Sequence, residues 1–171
     1  KLIGYRTVSI AGARDPIMIN KIDEIIEGVK ERVKDNFKSN KYDYYLDIKI
    51  YGKNAVMGEL EYNPSTKNCH EIGIIIEAVA NTQEKADTIC AFARSTMLHF
   101  GYEGRKATAG NLAFPYSPSD FHGGEVYNFS VYHLMEINDN DMDKIFKIDY
   151  EIIKYEIIKG VDKDDQISWY M

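Results

Sequence analysis

Apolar and polar positions follow regular spacings in six segments of the chain, in the order strand, helix, strand, strand, helix, strand. Alternation predicts strands and a spacing of three to four predicts helices. The cleanest alternation places Leu46 and Ile48 on one face and Asp47 and Lys49 on the other. The predicted strands are Arg6–Ala11, Tyr44–Tyr51, Glu71–Ala80 and Glu125–Ile137, and the predicted helices are Asp15–Asn40 and Asn81–Phe100.

Both predicted helices begin at a recognisable signal. Asp15 followed by Pro16 is the usual combination of an N-cap residue and a proline at the first helical position. Asn81 and Glu84 have the spacing of a capping box. Between the second and third strands, the segment 57–60 is interpreted as a possible extension of their hairpin.

This order of elements predicts an α+β fold of the ferredoxin-like type, a βαββαβ sandwich. Its antiparallel four-stranded sheet has the order 4-1-3-2, with two helices on one face, and would span residues 1–137. Residues 138–171 would form a C-terminal extension, in which 145–158 fits a helix or strands equally well. The open face of the sheet is expected to carry Ser9, Ala11, Gly73 and Glu77, without the stacking aromatics of an RNA-binding sheet.

Three loops of unusual composition would meet at one end of this sheet, because right-handed crossovers leave little freedom in their placement. They are residues 12–15, 52–70 and 101–124. The last is long and lacks periodicity, which is typical of functional or disordered connections. Its apolar residues, such as Phe114 and Phe121, argue against disorder. We therefore expect an ordered loop that builds a site.

Polar side chains of these loops predict an anion-binding site beside the N-terminus of the first helix. Arginine binds carboxylate and phosphate well. In the alternative interpretation, Arg14 pairs with Asp15 or Asp120 and merely holds the loops together. The candidate ligand-binding residues are Arg14, Arg105, Asn111, Ser117 and Ser119.

Candidates for acid–base chemistry in the same loop are Asp120 and His122. The neighbouring serines supply the residue types of a catalytic triad, but no GxSxG motif accompanies them. Cys69 and His70 are adjacent without a second ligand cluster, so no metal site is predicted. No cofactor is expected.

Composition narrows the possible partners and the cellular setting. The 171 residues carry a formal net charge of −6, which argues against nucleic acid as the main partner. No apolar run is long enough for a transmembrane helix and no signal peptide is visible, so we expect a cytoplasmic protein that does not bind membranes. Two cysteines make no disulfide framework, and Cys90 is predicted to be a core thiol. Because the chain begins at Lys1, we expect a fragment of a longer protein.

A resemblance to one family rests on the stretches RTVSIAGARDP, YGKNAVMGELE, HEIGIIIEAVA, TQEKADTICAFARSTMLHFGYEGR and TAGNLAFPYSPSD…GEVYNFSVYHLME. In this order they resemble the C-terminal part of the acyclic terpene utilisation (AtuA) family, whose function is largely unknown, over residues 4–136. The resemblance implies a missing N-terminal domain and a role in the breakdown of branched acyl-CoA or related carboxylic acids. It implies no catalytic residues.

Two functions follow as hypotheses. In the first, the domain contributes an anion-binding wall to a catabolic enzyme whose ligand is a small anionic metabolite or an acyl-CoA. In the second, it is a non-catalytic interaction module, and we expect a homo-oligomer. The second rests on apolar residues on the polar face of the sheet, which are Tyr45, Tyr51, Ile75 and Val79.

Overall fold

The computed structural model describes residues 1–38, 43–62, 69–132, 134–138 and 145–146. The chain divides into two compact units, Lys1–Val131 and Tyr132–Met171. The first unit contains every helix and strand discussed below. His133 and, apart from residues 145 and 146, the ambiguous segment 145–158 lie outside the described residues. None of the helices in the described ranges combines the length and apolar character needed to cross a membrane.

The elements form an α+β arrangement with a four-stranded antiparallel sheet, which confirms the predicted fold class at this level. The strands are β1 (Leu2–Ala13), β2 (Tyr44–Tyr51), β3 (Ile72–Ala80) and β4 (Asp120–Tyr127), and the helices are α1 (Pro16–Asn20), α2 (Ile22–Phe37) and α3 (Gln83–Leu98). The sheet order is β2-β3-β1-β4, which reads 4-1-3-2 from the β4 edge.

The helix boundaries differ from the predicted ones in two places. The predicted first helix is divided at Lys21 into α1 and α2, although Asp15 caps its start as expected by accepting a hydrogen bond from Ile17 N at 3.0 Å. The N-cap of α3 is Thr82 rather than Asn81, because the Thr82 hydroxyl accepts from Lys85 N at 3.3 Å. Glu84 therefore lies one position too early for a capping box.

A single apolar core lies between the sheet and the helices α2 and α3. The alternating prediction for β2 and β3 is confirmed, since Ile48, Ile50, Ile74 and Ile76 are buried. Helix α3 packs on β1 and β3, and α2 packs on α3. Cys90 is a buried free thiol in this core, and its burial raises its pKa to about 12.

Strand β1 turns the opposite face inward from the one we predicted. The residues that face the core are small ones, Thr7, Ser9, Ala11 and Ala13. Small side chains let α3 lie close to the strand, and the two buried hydroxyls have hydrogen-bond partners, as buried polar groups require. The open face therefore carries Val8 and the exposed Ile10, and the prediction that Ser9 and Ala11 lie there is wrong.

Strand β4 lies nearer the N-terminus than predicted. It pairs with β1 from Ser9↔Asp120 to Leu2↔Tyr127, so its first half belongs to the sequence we assigned to the long loop. Two glycines and a shift in register near Arg6 obscure the alternation there, as β-bulges commonly do. Residues 128–132 and 134–137, which we predicted as strand, have no regular secondary structure.

The second loop does not extend the hairpin either, because Gly58–Leu60 is a short 3-10 helix. The rest of the long loop, residues 101–119, returns from α3 to the start of β4. It is joined to the end of β1 by two hydrogen bonds between Gly12 and Ala113, at 2.8 and 2.9 Å. This bridge places part of the loop beside the exit of β1.

Candidate functional site

A groove lies where the end of β1, the start of β3 and the long loop meet. Residues 10–14, 71 and 113–115 line it, and its volume is about 370 Å³. Its walls are mainly apolar and include Ile10, Phe114 and Pro115. Of the three loops predicted to converge, the first and third therefore meet directly, whereas none of the described residues of the second loop, 52–70, lines the groove.

Arg14 is the positive group of this groove. Its side chain is exposed and forms no ion pair or hydrogen bond with other described residues. The alternative interpretation, in which Arg14 pairs with Asp15 or Asp120, is wrong. Asp15 accepts a hydrogen bond from Tyr102, and Asp120 forms an ion pair with Arg94 at 2.8 Å. The guanidinium of Arg14 is thus free for a ligand.

Asp15 holds the first and third loops together through a hydrogen bond from Tyr102. Tyr102 Oη donates to its carboxylate at 2.7 Å, and this bond is the main reason that the pKa of Asp15 lies below its ordinary value. Burial and the neighbouring carboxylate raise the pKa of Tyr102 to about 12. The N–H of Ile17 is taken by Asp15, and α1 has only five residues, so the helix end that we expected to bind an anion is not available.

Arg105 and Asn111 do not line the groove. Asn111 Nδ2 donates to the carbonyls of Met97 and Phe100 at 3.1 and 2.9 Å, and an Arg105 guanidinium nitrogen donates to the carbonyl of His99 at 3.2 Å. These carbonyls lie at the C-terminal end of α3, where backbone acceptors lack partners within the helix. Both side chains therefore terminate α3, although Arg105 Nε and Asn111 Oδ1 are buried without a hydrogen-bond partner.

The candidate serines lie on either side of a cis peptide bond that joins Ser117 to Pro118. Ser117 is exposed, whereas the carbonyl of Ser119 accepts a hydrogen bond from Ser9 at 3.1 Å. Neither serine lines the groove. Their hydroxyl groups form no hydrogen bond with the described residues. The ligand-binding role of both residues stays a prediction.

Asp120 and His122 face α3 rather than each other. They lie on the same side of β4, and each pairs with a helix residue: Asp120 with Arg94, and His122 Nε2 with Asp87 Oδ2 at 3.1 Å. Arg94 also lies over the ring of Phe114, 5.7 Å from its centroid, and so connects the groove wall to the helix. The two candidate acid–base residues are thus separate from Arg14.

A polar cluster surrounds the carboxylate of Asp87, formed by Thr7, Gln83, Asp87 and His122. Thr7 Oγ1 donates to Asp87 at 2.5 Å and Gln83 Nε2 donates at 3.0 Å. Burial opposes the charge of Asp87, but these hydrogen bonds and His122 outweigh it, and the pKa of Asp87 lies below its ordinary value. An oriented imidazole beside a carboxylate is an arrangement that can serve as a general base.

Sequence reasoning missed Thr7, Gln83 and Asp87. Gln83 and Asp87 are four residues apart on α3 and therefore share a helix face, but nothing in the sequence showed that β4 would lie beside them. The sequence signal that could have indicated them is the outer face of α3, where the small side chains of Ala91 and Ser95 follow Asp87 at intervals of four residues. Helix α3 does contact β4.

The second loop contributes little to the groove. Lys53 forms an ion pair with Asp23 of α2, and Cys69 Sγ donates to the carbonyl of Glu71 at 2.8 Å. His70 is exposed. Among the described residues, no group of three or more His, Cys, Asp or Glu side chains has a geometry that could hold a metal ion.

The open face of the sheet carries a charge network flanked by aromatic residues. Glu77 binds Arg6 and also Lys49, at 2.7 Å, while Lys49 binds Asp47 at 3.0 Å. The formal charges of these four residues cancel. Tyr45 and Tyr51 are exposed beside the network, as predicted, whereas Val79 is buried.

No protein-family model, curated protein or solved structure matches this chain. The resemblance to the acyclic terpene utilisation family therefore stays a prediction, and the site has to be interpreted from its own residues.

Proposed function

We propose that this domain, which we assign to the ferredoxin-like type, binds a small carboxylate in the groove beside Arg14 and contributes that groove as a wall to a catabolic enzyme. The observation that carries the proposal is a guanidinium that has no partner among the described residues and lies at the rim of a largely apolar groove. Arginine supplies a planar pair of donors that matches a carboxylate. The apolar walls suit the hydrocarbon part of such a ligand, which a free phosphate lacks.

The size of the groove supports the same class of ligand. A volume of about 370 Å³ is at the lower end of the range of small-molecule sites. A short branched carboxylate or the acyl end of a CoA thioester has suitable dimensions. Among the described residues that line the groove, Glu71 is the acidic one, and it should oppose the binding of an anion.

A ligand titration with three variants tests the proposal. We expect 3-methylbutanoate to raise the melting temperature of the protein, since a ligand at a hundred times its dissociation constant stabilises by about 2.7 kcal/mol. Arg14→Ala should weaken binding by about tenfold, which corresponds to about 1.4 kcal/mol. Glu71→Gln should strengthen binding, and the control Lys34→Ala, which removes an exposed charge of α2, should leave it unchanged.

Three results would contradict the proposal: no probe binds among 3-methylbutanoate, 3-methylbutanoyl-CoA and phosphate; Arg14→Ala and Lys34→Ala bind the carboxylate equally; or phosphate binds as well as the branched acid. The last result would show that the apolar walls make no contribution.

A second candidate function is that of an interaction module whose partner covers the open face of the sheet. The observation that favours it is the exposure of Tyr45 and Tyr51 around a charge network with no net charge. Aromatic residues are enriched in the central parts of interfaces. Replacing both tyrosines by serine should dissociate an oligomer that uses this face, and sedimentation velocity would detect the change.

A further inference from the structure

Two opposite charges lie at the mouth of the groove beside β1. Arg14 and Glu71 both line this groove, and both side chains are exposed. The last pair of the β1–β3 ladder is Ala13↔Ile72. Arg14 directly follows the first of these residues and Glu71 directly precedes the second. Because neighbouring strands lie about 4.8 Å apart, the two charged side chains extend from adjacent backbone positions.

Both charged side chains project to the same side of the sheet. Ala13 and Ile72 are buried in the core, and successive side chains of a strand point to opposite faces. Arg14 and Glu71 therefore point away from the core, toward the groove that both of them line. No ion pair joins them, and neither side chain forms an ion pair with another described residue. Each charge is thus available to a ligand.

Apolar surface adjoins the two charges and completes the groove. Ile10, Phe114 and Pro115 supply most of it. The ring of Phe114 packs against the core and lies under the guanidinium of Arg94, which Asp120 holds in place through an ion pair. This wall is therefore fixed from behind. A groove of about 370 Å³ with one fixed apolar wall suits a compact hydrocarbon group.

We propose that the groove binds an α-amino acid with a branched apolar side chain, whose carboxylate binds Arg14 and whose ammonium group binds Glu71. The inference rests on the proposed function, because it uses the same contact between Arg14 and the carboxylate of the ligand. It gives Glu71 the role of a second anchor, whereas Glu71 opposes a simple carboxylate. Like charges brought together at a binding site exclude the wrong ligand, so a site with both signs selects a ligand that carries both.

Three ligands with the same branched hydrocarbon test the inference when they are titrated into the full chain by calorimetry. L-Leucine carries both charges, 4-methylpentanoate lacks the ammonium group, and 3-methylbutylamine lacks the carboxylate. Leucine should bind more tightly than either of the others. Glu71→Gln should weaken leucine binding by about fivefold, the upper value for an exposed ion pair, and should strengthen the binding of 4-methylpentanoate. The control Glu31→Gln makes the same change at an exposed position of α2 and should alter neither.

The opposite responses of the two ligands to Glu71→Gln are the result that identifies a zwitterion site, because a glutamate that only shapes the loop would change both affinities in the same direction. If 4-methylpentanoate binds through Arg14 but leucine binds no better, the inference is wrong and the proposed function stands. The same holds if Glu71→Gln leaves leucine binding unchanged. An amine that binds as tightly as leucine also overturns the inference, because the carboxylate would then add nothing. If none of the three ligands binds, or if Arg14→Ala affects none of them, the proposed function fails as well.

Discussion

Asn111 shows how one polar side chain can fit two interpretations until its partners are known. A loop asparagine near arginines and serines suggests ligand binding, but its amide donates to two carbonyls at the end of α3. Arg105 binds a third carbonyl there. Arg14 has the opposite outcome, because the carboxylates that we considered as its partners bind Tyr102 and Arg94 instead. Hydrogen-bond partners thus distinguish structural residues from available ones.

At the scale of single residues, the bond between Tyr102 and Asp15 should make stability depend on pH. Tyr102→Phe removes a hydrogen bond to a charged group, and because both side chains are partly exposed we expect a loss of about 1 kcal/mol at neutral pH. The pKa of Asp15 is lowered in the folded state, so the contribution is complete above the ordinary value of 3.8 and disappears as the pH falls through the folded value.

Urea denaturation at neutral pH and near pH 2 measures this dependence. The difference in free energy of unfolding between wild type and Tyr102→Phe should shrink at the acidic pH. Tyr116→Phe is the control, because Tyr116 lies in the same loop and keeps its ring contact with Phe121 after the change. A deficit of Tyr102→Phe that is equal at both pH values would show that the lost bond does not involve the charged carboxylate.

At the scale of elements, alternation and helical spacing were enough to find β2, β3, α2 and α3, since each has one clearly apolar side. They were insufficient for β1 and β4. The inward face of β1 is made of Thr7, Ser9 and alanines, because α3 approaches closely, and the helix itself supplies the large side chains. The start of β4 contains glycines and polar residues that pair with α3, a tertiary effect that no local pattern contains.

The same limitation applied to the candidate site. The sequence predicted that three loops meet at one end of the sheet, because topology determines which loops share an end. The first and third loops do meet at the groove, and no described residue of the second lines it. The sequence did not predict the division of the polar residues between a groove beside Arg14 and a cluster around Asp87. That division depends on which face of β4 points toward α3, and the register shift at Gly123 hides this from the alternation.

Two glycines of β1, Gly4 and Gly12, allow a test of how closely this strand packs against β3. A Cβ atom at Gly4 would lie 2.4 Å from the carbonyl oxygen of Ala80, whereas at Gly12 the nearest atom would be 3.7 Å away. Gly4→Ala should lower the free energy of unfolding by about 1–3 kcal/mol, as overpacking does. Gly12→Ala should be neutral or slightly stabilising, because alanine costs less backbone entropy.

Chemical denaturation of both variants measures the difference. Backbone, rather than a flexible side chain, stands in the way at Gly4, so relaxation there would require a shift of the sheet. Equal stabilities for Gly4→Ala and Gly12→Ala would contradict the packing that we describe between β1 and β3.

At the scale of the whole molecule, the two surfaces that we propose for function are separate. The groove lies at one end of the sheet and the charge network on its open face. Ligand binding at Arg14 and association with a partner through the open face therefore need not compete. A variant that abolishes one should preserve the other, which allows the two proposals to be judged independently.

The division of the chain into two units predicts that residues 1–131 fold on their own. This part contains the core and all four strands, and we expect a single cooperative transition in urea, followed by near-ultraviolet circular dichroism. A chain that ends at Ser119 lacks β4, and with it the ion pair between Arg94 and Asp120 and the strand that pairs with one edge of β1. Its unfolding midpoint in urea should therefore be lower than that of residues 1–131. If residues 1–131 showed no cooperative transition, the core would depend on the remainder of the chain. Equal midpoints for the two shortened chains would mean that β4 adds no stability to the sheet, and its pairs with α3 would then serve the polar cluster rather than the fold.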